Sequence, residues 1–267
     1  MRRIAMLLFF VLVVVSISRR YIFNLAAERA RAEFLAEHDT LTGLTNRRVF
    51  ERQLADEARK TFARRSTFAL MSLDLDLFKE LNDSLGHQAG DEALRIVARR
   101  LQSVLPNGAT IARVGGDEFS IIVPGTSRER VATTAKWLID SISEPLELAS
   151  SRQAFLGASI GIAMMPDDAS SAALLSKRAD LALYEAKKAG RGRCAFFEQS
   201  MEANQSRLYE VETALRLAIT ERRIDIAYQP IVTASGERVT SVEALARWTD
   251  PKLGVVSPAE FIVTAER

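Results

Sequence analysis

The middle of the chain alternates between the hydrophobic periodicities of helices and of strands. Over residues 67–78, leucines alternate with Asp74 and Asp76, which predicts a strand. Over residues 88–105, apolar residues recur every three or four positions, which predicts an amphipathic helix. Further helices are predicted over 46–64 and 171–189, and another is predicted to start at a capping box at 126–129. Further strands are predicted over 154–164 and 194–197.

Two short strand patterns, 110–114 and 118–123, flank Gly115, Gly116 and Asp117. Such a turn between two strand patterns is a hairpin signal. Helices interleaved with an antiparallel hairpin predict an α+β sandwich, in which helices cover a mostly antiparallel sheet.

The N-terminus carries an uncharged apolar run, Ile4–Ser18, bracketed by arginine pairs. Extended by residues 21–23, it approaches the roughly 20 residues of a spanning helix, so we expect a transmembrane anchor over 1–23. More arginines follow the run than precede it, which places the rest of the chain in the cytoplasm. A cleaved signal peptide and a buried core helix are the alternatives. Residues 24–37, rich in Ala, Glu and Arg, predict a connector or stalk helix.

The composition, 48% hydrophobic and 26% charged, excludes a wholly disordered or low-complexity chain. The single cysteine, Cys194, excludes a disulfide framework. The net charge is +2, but residues 1–36 hold six arginines and two glutamates, a net +4. The remaining 30 basic and 32 acidic residues give −2. Because the body has no basic bias, nucleic acid is not an expected partner.

Carboxylates stand at two places that the predicted fold brings near each other. Asp74 and Asp76 lie on one strand face, and Asp117 and Glu118 lie at the two-glycine turn. Buried carboxylates are costly unless they are paired or bound to metal. If the hairpin lies beside the strand, Asp74 and Asp117 converge into oxygen ligands suited to Mg²⁺ or Mn²⁺, which indicates two-metal phosphoryl or nucleotidyl transfer. A plain hairpin tip and an exposed edge strand are the structural alternatives.

Five sequence blocks, in order, resemble the GGDEF family of bacterial diguanylate cyclases. The signature RVGGDEF lies at 113–119, after HDTLTGLTNRRVF at 38–50 and LDLDLFKELNDSLGHQAGDE at 73–92. SIGIA at 159–163 and ADLALYEAKKAGRGR at 179–193 follow it. The resemblance implies a domain over 38–198, folded like adenylyl cyclases and the polymerase palm, that condenses two GTP molecules into cyclic di-GMP and two pyrophosphates.

The resemblance also implies roles for individual positions. Asp74, Asp117 and the main-chain carbonyl of Leu75 would hold Mg²⁺ or Mn²⁺, two ions per active site as in two-metal catalysis. Glu118 would act at the metal or activate the 3′-hydroxyl. The guanine-binding residues would be Asn82 and Asp91, and the phosphate-binding residues would be Phe78, Lys79, Gly115, Gly116, Lys187 and Arg191.

Each such domain holds one GTP, so the resemblance implies that turnover needs a homodimer. Many family members carry Arg-x-x-Asp ahead of the signature as a product-inhibition site. Pro106 and Ala109 occupy those positions here, so no such site is expected.

The C-terminal part contains YQPI at 228–231, EALARW at 243–248 and SPAEFI at 257–262. These motifs resemble the start of the EAL family, the cyclic-di-GMP phosphodiesterases, whose fold is a TIM-like barrel. Gln229, Glu243 and Arg247 match a substrate glutamine, a metal-binding glutamate and a phosphate-binding arginine. Because such barrels need about 250 residues, residues 199–267 are expected to be an N-terminal fragment without hydrolytic activity.

Together these expectations describe a single-pass diguanylate cyclase of the bacterial inner membrane with its catalytic domain in the cytoplasm. One alternative is that the full-length parent is mainly a phosphodiesterase, with the GGDEF domain as a GTP-binding regulator. A non-catalytic scaffold is the other alternative.

Overall fold

The computed structural model describes residues 19–21, 23, 34–149, 153–233, 236 and 238–266. The chain divides into two compact units, with the division between Phe197 and Glu198.

The first unit is built around a six-stranded sheet in the order β1-β3-β4-β2-β7-β8. The three central pairings are antiparallel, whereas the outer pairings, β1 with β3 and β7 with β8, are parallel. A separate two-stranded sheet is formed by β5 and β6. The strands are β1 Thr45–Asn46, β2 Phe68–Asp76, β3 Thr110–Gly115, β4 Glu118–Pro124, β5 Leu146–Glu147, β6 Gln153–Ala154, β7 Gly157–Met165 and β8 Cys194–Phe196.

The mixed sheet corrects the predicted, mostly antiparallel one. The β3–β4 hairpin was predictable because its strands are neighbours in sequence. The edge strands β1 and β8 have only two and three residues, and helices separate each from its partner in sequence. Such crossovers are what parallel pairing requires, but the sequence did not show which strands they join. Strand β8 was predicted at 194–197, whereas β1 was not, because two residues carry no periodic signal.

Within the described part of the first unit, five helices flank this sheet. Four of them confirm predicted helices with boundaries shifted by a few residues, whereas α2 was not predicted. It begins directly after Leu77, whose φ of 62° ends the strand geometry of β2. The helices are α1 Arg47–Arg64, α2 Phe78–Leu85, α3 His87–Val104, α4 Arg128–Ser143 and α5 Ala172–Lys188.

The two faces of β2 differ in chemistry, as the alternation of Leu and Asp predicted. Leu73 and Leu75 point into an apolar core that they share with residues of α3 and α4. Ser72 and Asp74 point to the opposite face, where the Ser72 Oγ donates to Asp180 of α5 at 2.8 Å. The face under α5 is therefore polar from Ser72 to the end of β2, where the candidate site lies, whereas Phe68 and Leu70 make its first part apolar.

Helix α5 packs directly on the sheet at Gly161 of β7. A Cβ at Gly161 would lie 2.0 Å from the carbonyl oxygen of Ala179 and 2.1 Å from the amide nitrogen of Leu183. Both are backbone atoms, which cannot rotate away. The missing side chain therefore sets the distance between α5 and the sheet.

The second unit contains a three-stranded antiparallel sheet in the order β11-β10-β9. Its small core includes Trp248 and Phe261, whose rings meet edge to face with centroids 5.6 Å apart. Its elements are α6 Gln199–Thr220, β9 Ile224–Val232, β10 Val239–Asp250, β11 Gly254–Val256 and α7 Pro258–Ala265.

The prediction of a transmembrane anchor over 1–23 needs correction. Among the helices of the described residues, none is both long enough and apolar enough to cross a membrane. The predicted single-pass, inner-membrane location is corrected on the same finding. The apolar run 4–18 itself lies outside the described residues, as does most of the connector 24–37, of which residues 34–37 are helical.

We expect Gly161→Ala to lower the free energy of unfolding by at least about 2 kcal/mol, because overpacking against a fixed backbone forces the helix off the sheet. Thermal or urea unfolding measures the loss. Gly115→Ala is the matched control, since its nearest neighbour to a new Cβ is 3.9 Å away. Equal stability of the two variants would contradict this packing.

Candidate active site

The two-glycine turn lies at the C-terminal end of β2. The register of β4 on β2 places Glu118 opposite Asp74. The amide of Leu75 donates to the carbonyl oxygen of Asp117 at 3.3 Å. The predicted convergence of hairpin and strand is therefore observed, and it brings Asp74, Asp117 and Glu118 to one end of the sheet.

The turn itself needs glycine at one position. Gly116 has a φ of +42°, a backbone conformation that side chains disfavour. Gly115 ends β3 beside Glu118, with an irregularity in the register between Arg113 and Gly115. Both glycines are exposed, so the backbone of the turn is open to an incoming group.

A charge pair that the sequence did not reveal anchors this turn. The Arg113 Nε donates to the carbonyl oxygen of Gly116 at 2.9 Å, and its Nη1 lies 3.2 Å from the Asp39 Oδ1. Burial raises the pKa of Asp39, but hydrogen bonds from Thr42 and the Arg113 guanidinium outweigh it, so the pKa lies below the ordinary value. Asp39 belongs to the block at 38–50, and the pair spans 74 positions, too far for any periodic signal.

Asp74 is the carboxylate of this cluster that Lys187 contacts. Its side chain is 13% exposed and its Oδ1 lies 2.7 Å from the Lys187 Nζ. Burial raises the pKa of Asp74 above its ordinary value, the Lys187 ammonium opposes that rise, and the charges of Asp117 and Asp76 add to it. The site therefore concentrates more negative charge than one lysine compensates.

The two predicted phosphate-binding residues near the end of α5 differ in their settings. Lys187 lies in the last turn of the helix and reaches Asp74. Arg191 is exposed in the loop that follows, with a φ of 58°. Both lie beyond the close contact at Gly161, which holds their helix against the sheet.

The predicted guanine-binding residues lie on α2 and α3. Asn82 is half-buried on α2, Asp91 is exposed on α3, and at the start of α2 Phe78 is buried and Lys79 is exposed. A Cβ at Gly90 of α3 would lie 1.9 Å from the Asn82 Oδ1. Gly90 thus makes the space that Asn82 occupies. The sequence signal was a glycine inside a helical pattern, which usually has a packing reason.

The donor atoms at the end of β2 suit a hard divalent cation, because carboxylate and carbonyl oxygens are what Mg²⁺ and Mn²⁺ prefer. Asp117 is close enough to Asp74 for its charge to raise the pKa of Asp74. Within the described part of the chain, no three acidic, histidine or cysteine side chains come together closely enough to hold a metal by themselves.

In the second unit, the three predicted residues are exposed on one β-hairpin. Gln229 of β9 pairs directly with Glu243 of β10, and Arg247 lies four residues further along β10. Residues four apart in a strand share a face, as do directly paired residues. The hairpin therefore gathers all three on one side.

Comparison with protein families agrees with this geometry. Residues 36–193 match the family described as diguanylate cyclase, GGDEF domain, and residues 212–267 match the EAL domain. Because the first match covers more than half of the chain, the chain belongs to the GGDEF family. A partial EAL domain follows the GGDEF domain, as expected from the sequence.

Two curated relatives come from Pseudomonas aeruginosa. The bifunctional diguanylate cyclase/cyclic di-GMP phosphodiesterase MucR is 37% identical over 252 residues, 94% of this chain and 37% of its own length. The cyclic di-GMP phosphodiesterase NbdA is 35% identical over 232 residues, 87% of this chain and 30% of its own length. The chain thus spans only about a third of these relatives.

A solved structure, the GGDEF domain of TpbB (YfiN) from Pseudomonas aeruginosa, superposes with a TM-score of 0.62 at 36% identity. The match covers 64% of this chain and 99% of that one. The fold of the first unit is therefore that of a GGDEF domain, and the chain belongs to a family of cyclic-di-GMP signalling proteins.

We expect Lys187→Met to raise the pKa of Asp74 further, because the ammonium that opposes the effect of burial is lost. An Asp pKa above its ordinary value of 3.8 in the folded state means that stability falls as the pH rises from there through the folded pKa. The variant should therefore be less stable than wild type at neutral pH. NMR titration of the carboxyl carbons and unfolding at pH 4 and 7 measure both effects.

Lys188→Met is the matched control, since Lys188 is the next residue of the same helix and is exposed. The control should leave the Asp74 titration unchanged. An unchanged Asp74 titration in Lys187→Met would contradict the ion pair.

Proposed function

We propose that the first unit is a diguanylate cyclase, which condenses two GTP molecules into cyclic di-GMP and two pyrophosphates. The observation that supports it best is the half-buried Asp74 carboxylate, which meets the turn of Asp117 and Glu118 on one side and Lys187 on the other. Membership of the GGDEF family supports the same reaction class.

In this proposal the acidic end of β2 holds the catalytic ions, Mg²⁺ or Mn²⁺. Asp74 and Asp117 would be their side-chain ligands, and the carbonyl of Leu75 would be a main-chain ligand. Two such ions lower the barrier by stabilising the attacking and leaving oxygens of a phosphoryl transfer. Glu118, opposite Asp74, would assist there or accept the proton of the 3′-hydroxyl that attacks the α-phosphate.

The remaining residues would bind the nucleotide. Asn82 and Asp91 supply an amide and a carboxylate, which match the donors and acceptors of a guanine edge. The exposed backbone at Gly115 and Gly116 lets the triphosphate approach closely. Positive charge for the phosphates would come from Lys79, Lys187 and Arg191, and Phe78 would pack beneath them.

Each site would hold one GTP, and the product joins two. A homodimer that places two sites face to face is therefore part of the proposal, and the rate per subunit should rise with protein concentration. Product feedback through an Arg-x-x-Asp motif is not part of it, because Pro106 and Ala109 stand at those positions.

A second function is supported by the EAL match and by the relative NbdA, which is named as a phosphodiesterase. In a longer parent protein, the GGDEF domain would then bind GTP and regulate hydrolysis by the EAL domain. Gln229, Glu243 and Arg247 would belong to that second site.

We expect wild-type protein to convert GTP to cyclic di-GMP with Mg²⁺, and Asp117→Ala to lose at least about a hundredfold in rate, because charge stabilisation at a phosphoryl transfer is a large contribution. Chromatography of the nucleotides measures both. The control is Asp140→Ala, an exposed aspartate on α4, which should keep full activity.

Turnover that survives Asp117→Ala would contradict the assigned site. A folded wild-type dimer that binds GTP without turning it over would favour the regulatory alternative.

We expect Gly90→Ala to raise the KM for GTP roughly three- to tenfold, because the new methyl displaces Asn82 and removes its hydrogen bonds to guanine. The kcat should change less. Steady-state kinetics measures the split, and Gln88→Ala, an exposed position on the same helix, is the control. An unchanged KM for GTP in Gly90→Ala would exclude Asn82 from guanine binding.

A further inference from the structure

Asp76 is a buried carboxylate to which the proposed reaction assigns no role. It ends β2 on the same face as Asp74 and is 6% exposed. Among the described residues no ion pair reaches it. A buried carboxylate is costly unless hydrogen bonds satisfy it, so its partners indicate what it does.

The partners of Asp76 come from two other parts of the chain. The Ser159 Oγ donates to both carboxylate oxygens, at 2.9 and 3.1 Å, and Ser159 is fully buried on β7. The amide of Gly192 donates to the Oδ2 at 3.0 Å. A Cβ at Gly157 would lie 3.1 Å from that same oxygen, so β7 keeps the space free for this contact.

Gly192 belongs to a loop with an unusual backbone. The loop 190–192 follows α5, and its three consecutive residues have φ angles of +113°, +58° and +60°. The middle one is Arg191, a non-glycine residue in a region that L residues rarely adopt. The surrounding structure must therefore hold it there.

Three hydrogen bonds hold the three loop amides. The amide of Gly190 donates to the carbonyl of Lys187 at 3.3 Å, and that of Arg191 donates to the carbonyl of Ala186 at 3.2 Å. Both acceptors belong to α5 itself. The bond from Gly192 to Asp76 is the one that ties the loop to the strand that carries Asp74.

We propose that Asp76 is a positioning residue that fixes the loop 190–192, and through it the Arg191 guanidinium, against the triphosphate site. The inference rests on the proposed function, because it gives Arg191 its task. Asp76 lies two residues from Asp74 on the same rigid strand. One strand would therefore position both the proposed metal ligand Asp74 and, through the loop, the proposed phosphate-binding residue Arg191. Placement of this kind improves binding by removing the cost of ordering an exposed loop.

The loop can be tested without any activity. In wild-type protein, hydrogen exchange followed by NMR should show the amide of Gly192 protected to the same degree as the amides of β8. Asp76→Leu keeps the approximate shape but removes the acceptor, and it should raise the exchange of Gly192 at least tenfold. Asp76→Asn keeps an acceptor oxygen and should restore most of the protection.

Ser72→Ala is the control for these variants. It removes the hydrogen bond of a buried side chain on the same face of the same strand, but the bond joins Ser72 to Asp180 and does not involve the loop. Gly192 should stay protected in this variant. A fast-exchanging Gly192 amide in wild type, or equal exchange in Asp76→Leu and Ser72→Ala, would overturn the proposal.

Kinetics tests whether Asp76 acts through Arg191. Asp76→Leu should raise the KM for GTP about tenfold, the order expected for loss of one hydrogen bond to a charged acceptor, with less effect on kcat. In an Arg191→Ala background the same substitution should change the KM less than twofold, since coupled residues are not additive. Additive losses in the double variant would overturn the proposal.

The two proposals fail in different ways. Absence of GTP turnover in folded wild-type dimer contradicts the cyclase assignment, yet the exchange of Gly192 still reports whether Asp76 holds the loop. If Asp76→Leu does not fold, hydrogen exchange in wild type and in Asp76→Asn tests the proposal instead. Fast exchange of the Gly192 amide in either protein would contradict its hydrogen bond to residue 76.

Discussion

The first unit is organised by the need to bury carboxylates on one face of its central strand. Asp74 is offset by the Lys187 ammonium, and Asp76 by hydrogen bonds from two donors, the Ser159 hydroxyl and the Gly192 amide. Both arrangements require α5 and its following loop to lie close to the sheet, which Gly161 permits. Negative charge is thus concentrated at one end of β2 and incompletely compensated, a state that a divalent cation would relieve.

The rest of the fold keeps this charged end rigid. The opposite face of β2 packs into an apolar core with α3 and α4, so the strand cannot rotate its acidic face away. A backbone hydrogen bond links the hairpin turn to β2, and the Arg113–Asp39 ion pair links it to the sequence block at 38–50. Side chains on rigid elements hold their geometry better than side chains on free loops, which is what a phosphoryl-transfer site needs.

Features with a local signal could be predicted from the sequence. The alternation in β2, the hairpin and four of the helices were foreseen, and so was the approach of Asp117 to Asp74. Strand β8 was predicted at 194–197, but β1, the parallel pairing of both edge strands, the short α2 and the Asp39–Arg113 pair were not. Pairings between positions far apart in sequence leave no periodicity, and the eight residues of α2 are few for a helical pattern. Flanking charge and apolar length suggested a membrane anchor, but the described helices offer no span.

In the proposed function, the half-buried Asp74 carboxylate binds a divalent cation together with the nucleotide. Titration of Mn²⁺ followed by electron paramagnetic resonance, with a non-hydrolysable GTP analogue present, tests it without turnover. We expect tight nucleotide-dependent Mn²⁺ binding in wild type and at least about tenfold weaker binding in Asp74→Asn, which removes the charge of the proposed metal ligand. Equal Mn²⁺ affinity in the two proteins would contradict it.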